Sequence, residues 1–163
     1  MNDAFDNGIN ENNRDELNSI VSEIICDLDQ GKVRVANCTD GNWKINEQAK
    51  KAILLSFRLN QNKCIETNYT KFYDKVDSKF LHTTEDYLKT NNIRIVPQAI
   101  ARYGSFIDKN VVLMPSFVNI GAYVGEGTMV DTWATVGSCA QIGSNVHLSL
   151  IHIWRCGRYA VCR

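Results

Sequence analysis

An unbroken six-residue period of apolar residues in the second half of the chain limits its fold more than any other feature. An amphipathic helix repeats every 3.6 residues and a simple strand every two, so neither fits this spacing. Six-residue repeats are typical of a parallel β-helix, in which three short strands make one turn and the turns stack about 4.8 Å apart. About three turns are predicted, with nine apolar side chains inside: Ile100, Phe106, Val112, Val118, Val124, Val130, Val136, Ile142 and Leu148.

Two further positions of each repeat support this reading. The residue after the apolar position is Gly125, Gly137 or Gly143 in three repeats and Asn119 or Asp131 in two others. These residue types tolerate tight turns, so we expect the corners of the coils there. The spacing does not give the hand of the coil. Small or short side chains stand two positions before the apolar ones: Gly104, Asn110, Ser116, Ala122, Thr128, Ala134, Ala140 and Val146.

The apolar positions of the six-residue repeat, Ile100 to Leu148, are called the ladder below. The chain before this ladder begins with a predicted helix. Residues 13–30 carry apolar side chains at helical spacing. Asn13 is the expected N-cap, Glu16 stands three residues later as in a capping box, and Gly31 follows the last turn.

Shorter elements follow this helix. The pair Asp40-Gly41 predicts a hairpin turn. A second helix is expected from Asn46 to Asn60, a short strand near Phe72, and a brief third helix after Thr84 that ends at Asn91-Asn92. The apolar face expected for the second helix consists of Ala49, Ile53, Leu54 and Phe57.

The fold class is therefore α+β, with helices first and a parallel β-helix second. The expected divisions are a helical N-terminal domain over residues 1–92, the β-helix over 93–149 and a separate tail over 150–163.

Composition narrows the possible partners and compartments. The chain has 163 residues, a formal net charge of zero and no basic stripe, which argues against a nucleic-acid partner. No membrane span or secretory signal is read from the sequence, so the cytoplasm is the expected location. The six cysteines form no CxxC pair and have no histidines at zinc-finger spacing, so reduced thiols and no metal are expected.

Long motifs then identify a family resemblance. The segments RIVPQAIARYGSFIDKNVVLMPSFVNIGAYVGEGTMVDTWATVGSCAQIG and VRVANCTDGNWKINEQAKKAILLSFRLN resemble tetrahydrodipicolinate N-succinyltransferases. The resemblance covers about residues 14 to 149. It implies a left-handed β-helix, a homotrimer with active sites in clefts between subunits, and no permanently bound cofactor. It also implies an acyltransferase of lysine biosynthesis through diaminopimelate. That enzyme transfers the succinyl group from its co-substrate succinyl-CoA to the amino group of tetrahydrodipicolinate, or L-2-amino-6-oxopimelate.

Two residues match the family's functional positions. Asp131, in the motif VDTW, matches the acidic residue that binds the acceptor's amino end and is the candidate to take its proton. Considered without the resemblance, the same aspartate could simply form local hydrogen bonds at a corner. Arg94, in NIRIVP, matches the arginine that contacts the substrate, and a guanidinium suits bidentate binding of a carboxylate. A solvent-facing arginine at a strand start is the alternative for Arg94.

Several other residues are expected to have lesser roles. His147 should point outward one position before the ladder, and the family motif gives it no catalytic role. Trp133 and Met129 are expected in packing or subunit contacts. Cys139 is expected as a small buried neighbour in the stack and not as a nucleophile. His82 and His152 have no supporting context.

From Leu150 the sequence departs from the family. The tail LIHIWRCGRYAVCR breaks the repeat, and we expect a truncated reading frame joined to unrelated sequence, with a true short terminus as the alternative. The coenzyme A contacts of the family lie mostly beyond this point. We therefore expect the chain alone to be aggregation-prone and without turnover of succinyl-CoA.

Other functions stay open at this stage. One is a hexapeptide acyltransferase with a different acyl donor, such as an acetyl donor, or a different acceptor. Another is a non-enzymatic or metal-dependent β-helix trimer, although a metal site would need three converging histidines and the ladder offers only His147.

Overall fold

In the described part of this α+β chain, two hairpins and three helices precede the coils. The computed structural model describes Phe5, Gly8, Ile9 and residues 13–67, 70–81 and 83–150. The tail over 151–163, with its predicted break in the repeat, lies outside the described residues. Within the described part of the chain, no helix is long and apolar enough to cross a membrane. The elements before the coils are α1 (Arg14–Asp29), β1 (Ala36–Thr39), β2 (Asn42–Ile45), α2 (Glu47–Leu59), β3 (Lys63–Glu66), β4 (Lys71–Asp74) and α3 (Glu85–Thr90).

Local capping and turn signals place most of these elements. The Asn46 side chain accepts a hydrogen bond from the Ala49 N–H at 3.1 Å, so the predicted start of α2 is confirmed. Thr84 caps α3 in the same way, and the hairpin turn before Asn42 is confirmed. The helix predicted over 13–30 is confirmed as α1, but the Asn13 side chain forms no capping hydrogen bond with it.

The helical region has a core of its own, formed mainly where α1 packs against α2. Leu54 was predicted to face this core and is wrong, because it is 43% exposed while Leu55 is buried. The strand predicted near Phe72 is confirmed as β4; its partner β3 was not predicted. The buried residues of this core are Leu17, Val21, Ile25, Leu28, Val35, Ala49, Ile53, Leu55, Leu59, Val76 and Ile120.

Ten two-residue strands then build a parallel β-solenoid of about three turns, which confirms the predicted fold class. They form three sheets, in the orders β14-β11-β8-β5, β13-β10-β7 and β12-β9-β6, and every pairing within them is parallel. The strands are β5 (Arg94–Ile95), β6 (Ile100–Ala101), β7 (Phe106–Ile107), β8 (Val112–Leu113), β9 (Phe117–Val118), β10 (Tyr123–Val124), β11 (Met129–Val130), β12 (Thr135–Val136), β13 (Gln141–Ile142) and β14 (His147–Leu148).

The predicted interior ladder is correct from Val118 onward and wrong before it. Ala101, Ile107 and Leu113 are buried, whereas the predicted Ile100, Phe106 and Val112 face outward and are half-buried. The interior positions Leu113 and Val118 are only five residues apart, so the first coils have a register one residue later than expected. The pairing shows the same step, since Leu113 stands opposite Val130, 17 residues on, and Val130 opposite Leu148, 18 residues on.

The small interior positions shift together with the ladder. Ser105 and Val111 are buried where Gly104 and Asn110 were predicted, while Ser116, Ala122, Thr128 and Ala134 are buried as predicted. A two-residue strand with two neighbouring apolar residues does not reveal from its sequence which of the two points inward.

The predicted corners are also displaced. Positive φ angles occur three residues after most interior positions, for example at Gly121, Gly127 and Asn145, but not after Leu113. Gly125 lacks a positive φ and is small for another reason, because a Cβ there would lie 2.7 Å from the carbonyl carbon of Gly143 in the next coil. Gly125, which was predicted as a corner, therefore allows two coils to approach each other closely.

The helical region covers one face of the solenoid. The outer side chains of β7, β10 and β13 are Phe106, Tyr123 and Gln141, and Arg34 lies over the Tyr123 ring at 3.7 Å and bonds to Gln141. The side chain of Lys79, only 6% exposed, pairs with Asp29 at 2.8 Å, and Asp29 also accepts the Gly104 N–H. The Asp29 carboxylate thus joins the helical region to Gly104 of the solenoid, and the buried ion pair with Lys79 holds it beside that contact.

Candidate functional site

The sheet β14-β11-β8-β5 carries the residues of the candidate site on its outer surface. The first residue of each of its strands points outward: Arg94, Val112, Met129 and His147 stand in one column. Arg94 and His147 are exposed, and the two apolar residues between them are half-buried. This face therefore presents a cation at one end and an imidazole at the other.

Asp131 follows β11 directly, and hydrogen bonds of both its backbone and its side chain hold it in place. Its N–H donates to the Leu148 carbonyl at 2.8 Å, which ties its backbone to the next coil. Its Oδ1 accepts the Thr132 N–H at 2.7 Å, and its Oδ2 lies 3.0 Å from the Nε2 of His147. The Asp131 side chain keeps 31% of its surface exposed and that of His147 keeps 60%. The carboxylate is thus oriented by its neighbours and still open to solvent.

These contacts set the charge of Asp131. The hydrogen bond from His147 and that from the Thr132 N–H lower the pKa of the Asp131 carboxyl below its ordinary value of 3.8. The side chain is consequently ionised at neutral pH. An ionised, partly exposed carboxylate of this kind can bind an ammonium group.

Arg94 begins β5 on the same sheet and is exposed. Its backbone N–H donates to the Val111 carbonyl at 3.0 Å, which fixes the start of the first coil. Its guanidinium forms no hydrogen bond or ion pair with another described residue. β5 and β11 are two strand spacings apart, roughly 9.6 Å. The two sequence-predicted site residues thus share one face without touching each other.

The Asp131–His147 contact was not predicted from the sequence, although the repeat contains the signal for it. An 18-residue coil places His147 opposite Met129, and Asp131 lies two residues farther along the same strand direction. Diagonal neighbours on adjacent strands lie within reach of long side chains. The outward direction of His147 was predicted and is confirmed.

The remaining candidates are distributed around the coils. Trp133 has a φ of 60° and is 63% exposed, so it is not a packing residue within the described chain, while Met129 lies in the outer column of the site. Cys139 was expected inside the stack and is wrong there, since it occupies a corner with a φ of 65° and borders the helical core. His82 and His152 lie outside the described residues.

Three cavities of the described chain lie elsewhere. One lies between α1, α2 and the loop after α2, a second lies between the β3-β4 hairpin and the outer face of β6 and β9, and a third lies beside α3. Asp131, His147 and Arg94 line none of these three. Over the described residues, no group of three His, Cys, Asp or Glu side chains could hold a metal ion. The described cysteines, at positions 26, 38, 64 and 139, are not joined in disulfides.

Comparison with known proteins identifies the family. A sequence model described as tetrahydrodipicolinate N-succinyltransferase N-terminal matches residues 1–59. The chain is 57% identical over 149 residues to the 2,3,4,5-tetrahydropyridine-2,6-dicarboxylate N-succinyltransferase of Acinetobacter baylyi, covering 90% of this chain and 55% of that protein. The chain belongs to this family.

Other relatives carry the same name at similar identity. The protein of Methylobacillus flagellatus is 62% identical over 135 residues, which is 82% of this chain and 49% of the relative. That of Bradyrhizobium diazoefficiens is 51% identical over 154 residues, which is 91% of this chain and 55% of the relative. The chain spans about half the length of the curated relatives it matches.

Proposed function

We propose that this chain carries the acceptor-binding part of a tetrahydropyridine-2,6-dicarboxylate N-succinyltransferase. The reaction moves the succinyl group of succinyl-CoA to the amino group of the acceptor, L-2-amino-6-oxopimelate in its open form, on the diaminopimelate route to lysine. The 57% identity to a relative of that name over 90% of the chain carries the proposal. The shared name of the relatives favours this reaction over another hexapeptide acyltransferase and over a non-enzymatic trimer.

Asp131 binds the amino end of the acceptor. An amine attacks a thioester only after it has lost a proton, because the ammonium form has no lone pair. The ionised carboxylate of Asp131 attracts that ammonium and is placed to receive the proton. The nitrogen then attacks the succinyl carbonyl carbon, the new amide bond forms, and coenzyme A leaves as its thiol.

Arg94 holds a carboxylate of the acceptor. Its exposed guanidinium has no partner among the described residues, so its donors are available for a bidentate contact. About two strand spacings separate its strand from β11, and the side chains of Val112 and Met129 lie between. This layout suits an extended dicarboxylate that bears a charged group at each end.

Assembly and location complete the proposal. We expect a cytoplasmic homotrimer in which a neighbouring subunit closes the cleft over Asp131 and Arg94. The three cavities within one chain avoid these residues, which is compatible with a site completed by a second copy. Succinyl-CoA is a co-substrate in this scheme, and no permanently bound cofactor takes part.

A hybrid enzyme tests the proposal. The segment of the Acinetobacter baylyi relative that aligns with this chain is replaced by the aligned residues of this chain, and release of the coenzyme A thiol is measured with and without acceptor. We expect acceptor-dependent release. Asp131→Asn should lower kcat/KM by about 10² to 10⁴, and Arg94→Gln should act mainly on the KM of the acceptor.

The matched control is Lys109→Gln, which removes an exposed cation one corner away from the site. It should leave the rate within about twofold, since its pairing with Glu126 is a surface contact. A folded hybrid that transfers acetyl from acetyl-CoA but not succinyl, or that works equally well with Asp131→Asn, would contradict the proposal.

A further inference from the structure

The contact between Asp131 and His147 joins two successive coils of the solenoid. Asp131 follows β11 and His147 begins β14, and β11 and β14 are adjacent strands of one sheet. The Nε2 of His147 lies 3.0 Å from Oδ2 of Asp131, while Oδ1 is already held by the Thr132 N–H. Each carboxylate oxygen thus has one donor and retains lone pairs for a further donor from solvent or ligand.

The net charge of this pair depends on the imidazole. With neutral His147 donating through Nε2–H, the pair carries one negative charge. With His147 protonated, the pair is a neutral ion pair, and its attraction for a cation is lost. The two protonation states of the imidazole therefore present different net charges to a ligand at Asp131.

Other described charges on this face do not take the place of His147. The outward residues of the adjoining strands are Val112 and Met129, which do not titrate. Lys109 stands at the corner before β8 and Glu126 at the corner before β11, and the two pair with each other at 3.4 Å. Arg94 lies at the far end of the column and is positive at every relevant pH. His147 is therefore the group on this face whose protonation changes the field at Asp131.

We infer that His147 is a positioning residue for Asp131: it holds the carboxylate oriented for an ammonium group, and its protonation weakens ammonium binding. The inference rests on the proposed function, because the ammonium in question is that of the amine acceptor. It assigns His147 no proton transfer with the substrate. Its effect is exerted through Asp131.

Two substitutions at position 147 separate orientation from titration. His147→Gln keeps an N–H donor near the place of Nε2 and cannot titrate. His147→Ala removes both the donor and the charge. The side chain is 60% exposed, so neither substitution removes a core contact. The probe is L-2-aminopimelate, which carries the amine and both carboxylates and does not cyclise.

Calorimetric binding of this probe to the chain is measured at pH 8 and pH 5.5. For the unsubstituted chain we expect affinity to fall roughly three- to tenfold at the lower pH, as expected for one lost charge in a solvated site. His147→Gln should match the unsubstituted chain at pH 8 within about twofold and show no such fall. His147→Ala should bind more weakly at pH 8. Equal pH dependence in all three proteins would overturn the inference.

The titration of the Asp131 carboxyl, followed by carbon-13 NMR, tests positioning without any ligand. His147→Ala should raise the pKa of Asp131 toward its ordinary value, because the largest cause of the lowering is removed. His147→Gln should leave that pKa low. An Asp131 titration unchanged in His147→Ala would also overturn the inference.

Failure of the proposed function looks different in these experiments. If the unsubstituted chain binds no aminopimelate at either pH while the NMR titration responds to His147→Ala, the acceptor assignment is wrong. The cation-binding half of the inference is then wrong with it, and the positioning half is confirmed. If aminopimelate binds to the unsubstituted chain and to both His147 variants with the same affinity at each pH, the proposed function stands and the inference is wrong.

Discussion

The helical region and the solenoid are stabilised by different patterns, and the same one-residue error has different consequences in each. In α2 the buried residue is Leu55 and not Leu54, yet Ala49 and Ile53 of the predicted face are buried as expected. Side chains point outward all around a helix axis. An error of one position in the predicted buried face therefore misplaces only one side chain. In the solenoid the same error moves every interior residue of the first coils to the outside. A repeat with two-residue strands therefore depends more strictly on register.

Substitution of Leu113 should have the largest effect and tests the register directly. Leu113→Ala should lower the free energy of unfolding by roughly 2–5 kcal/mol, because a fully buried leucine leaves a cavity in the stack. Val112→Ala, one residue earlier on the outer surface, is the control and should cost about 1 kcal/mol or less. Urea unfolding followed by circular dichroism measures both. A larger loss for Val112→Ala would restore the unshifted six-residue register.

The joint between the two regions should be nearly as sensitive. Lys79→Met leaves Asp29 partly buried without its cation and should cost about 3 kcal/mol. Lys63→Met breaks an exposed pair with Asp77 and should cost less than about 1 kcal/mol. The double variant Asp29→Asn with Lys79→Met should recover part of the loss, since no buried charge remains unpaired. Equal losses for the two single lysine variants would mean that the buried Lys79–Asp29 pair contributes no more to stability than the exposed Lys63–Asp77 pair.

A smaller effect is expected where two coils approach each other. Gly125→Ala places a methyl group 2.7 Å from the backbone of Gly143, so the coils must separate slightly, at about 1–3 kcal/mol. Gly137→Ala is the matched control from the predicted corner positions. A Cβ there meets nothing within 4 Å, and its stability should change by less than about 0.5 kcal/mol. Thermal melting of both variants measures the difference, and equal melting temperatures would refute the close approach.

The smallest effect concerns Asp131 and acid. Its pKa in the folded chain lies below the ordinary value of 3.8, so the ionised form stabilises the fold. This contribution is present above about pH 3.8 and is lost as the pH falls through the lowered folded value. Asp131→Asn should therefore differ most from the unsubstituted chain near neutral pH and least at pH 2.5. Unfolding free energies measured across this range give the comparison, and a difference independent of pH would contradict it.

Local signals allowed most of the helical region to be predicted. Caps at Asn46 and Thr84 and the turn before Asn42 act over three or four residues, so a short stretch of sequence contains the whole signal. Strand β3 was missed because its pairing with β4 depends on contacts across a turn and its polar composition gives no clear alternation. The division of the chain at residue 92 stays a prediction.

The solenoid was predicted in outline, and its first coils were not. Phe106-Ile107 and Val112-Leu113 offer two apolar residues each, and the five-residue step between Leu113 and Val118 decides which faces inward. At the site, the outward direction of His147 followed from the repeat. Predicting its contact with Asp131 also requires the 18-residue offset between successive coils, which local sequence patterns do not show. The roles of Asp131 and Arg94 and the left hand of the coil stay predictions.

The partners of the Asp131–His147 contact come from different turns of the coil, and this makes the chemistry conditional on folding. Within the described residues β14 pairs with β11. Single strands can detach by local opening at a lower free energy than global unfolding. If β14 detaches, His147 leaves and Asp131 loses both its imidazole and the carbonyl that holds its N–H. Under the proposed function, the chain would then bind amines less tightly while most of its secondary structure persisted. A circular dichroism spectrum would therefore not show whether the site at Asp131 is intact.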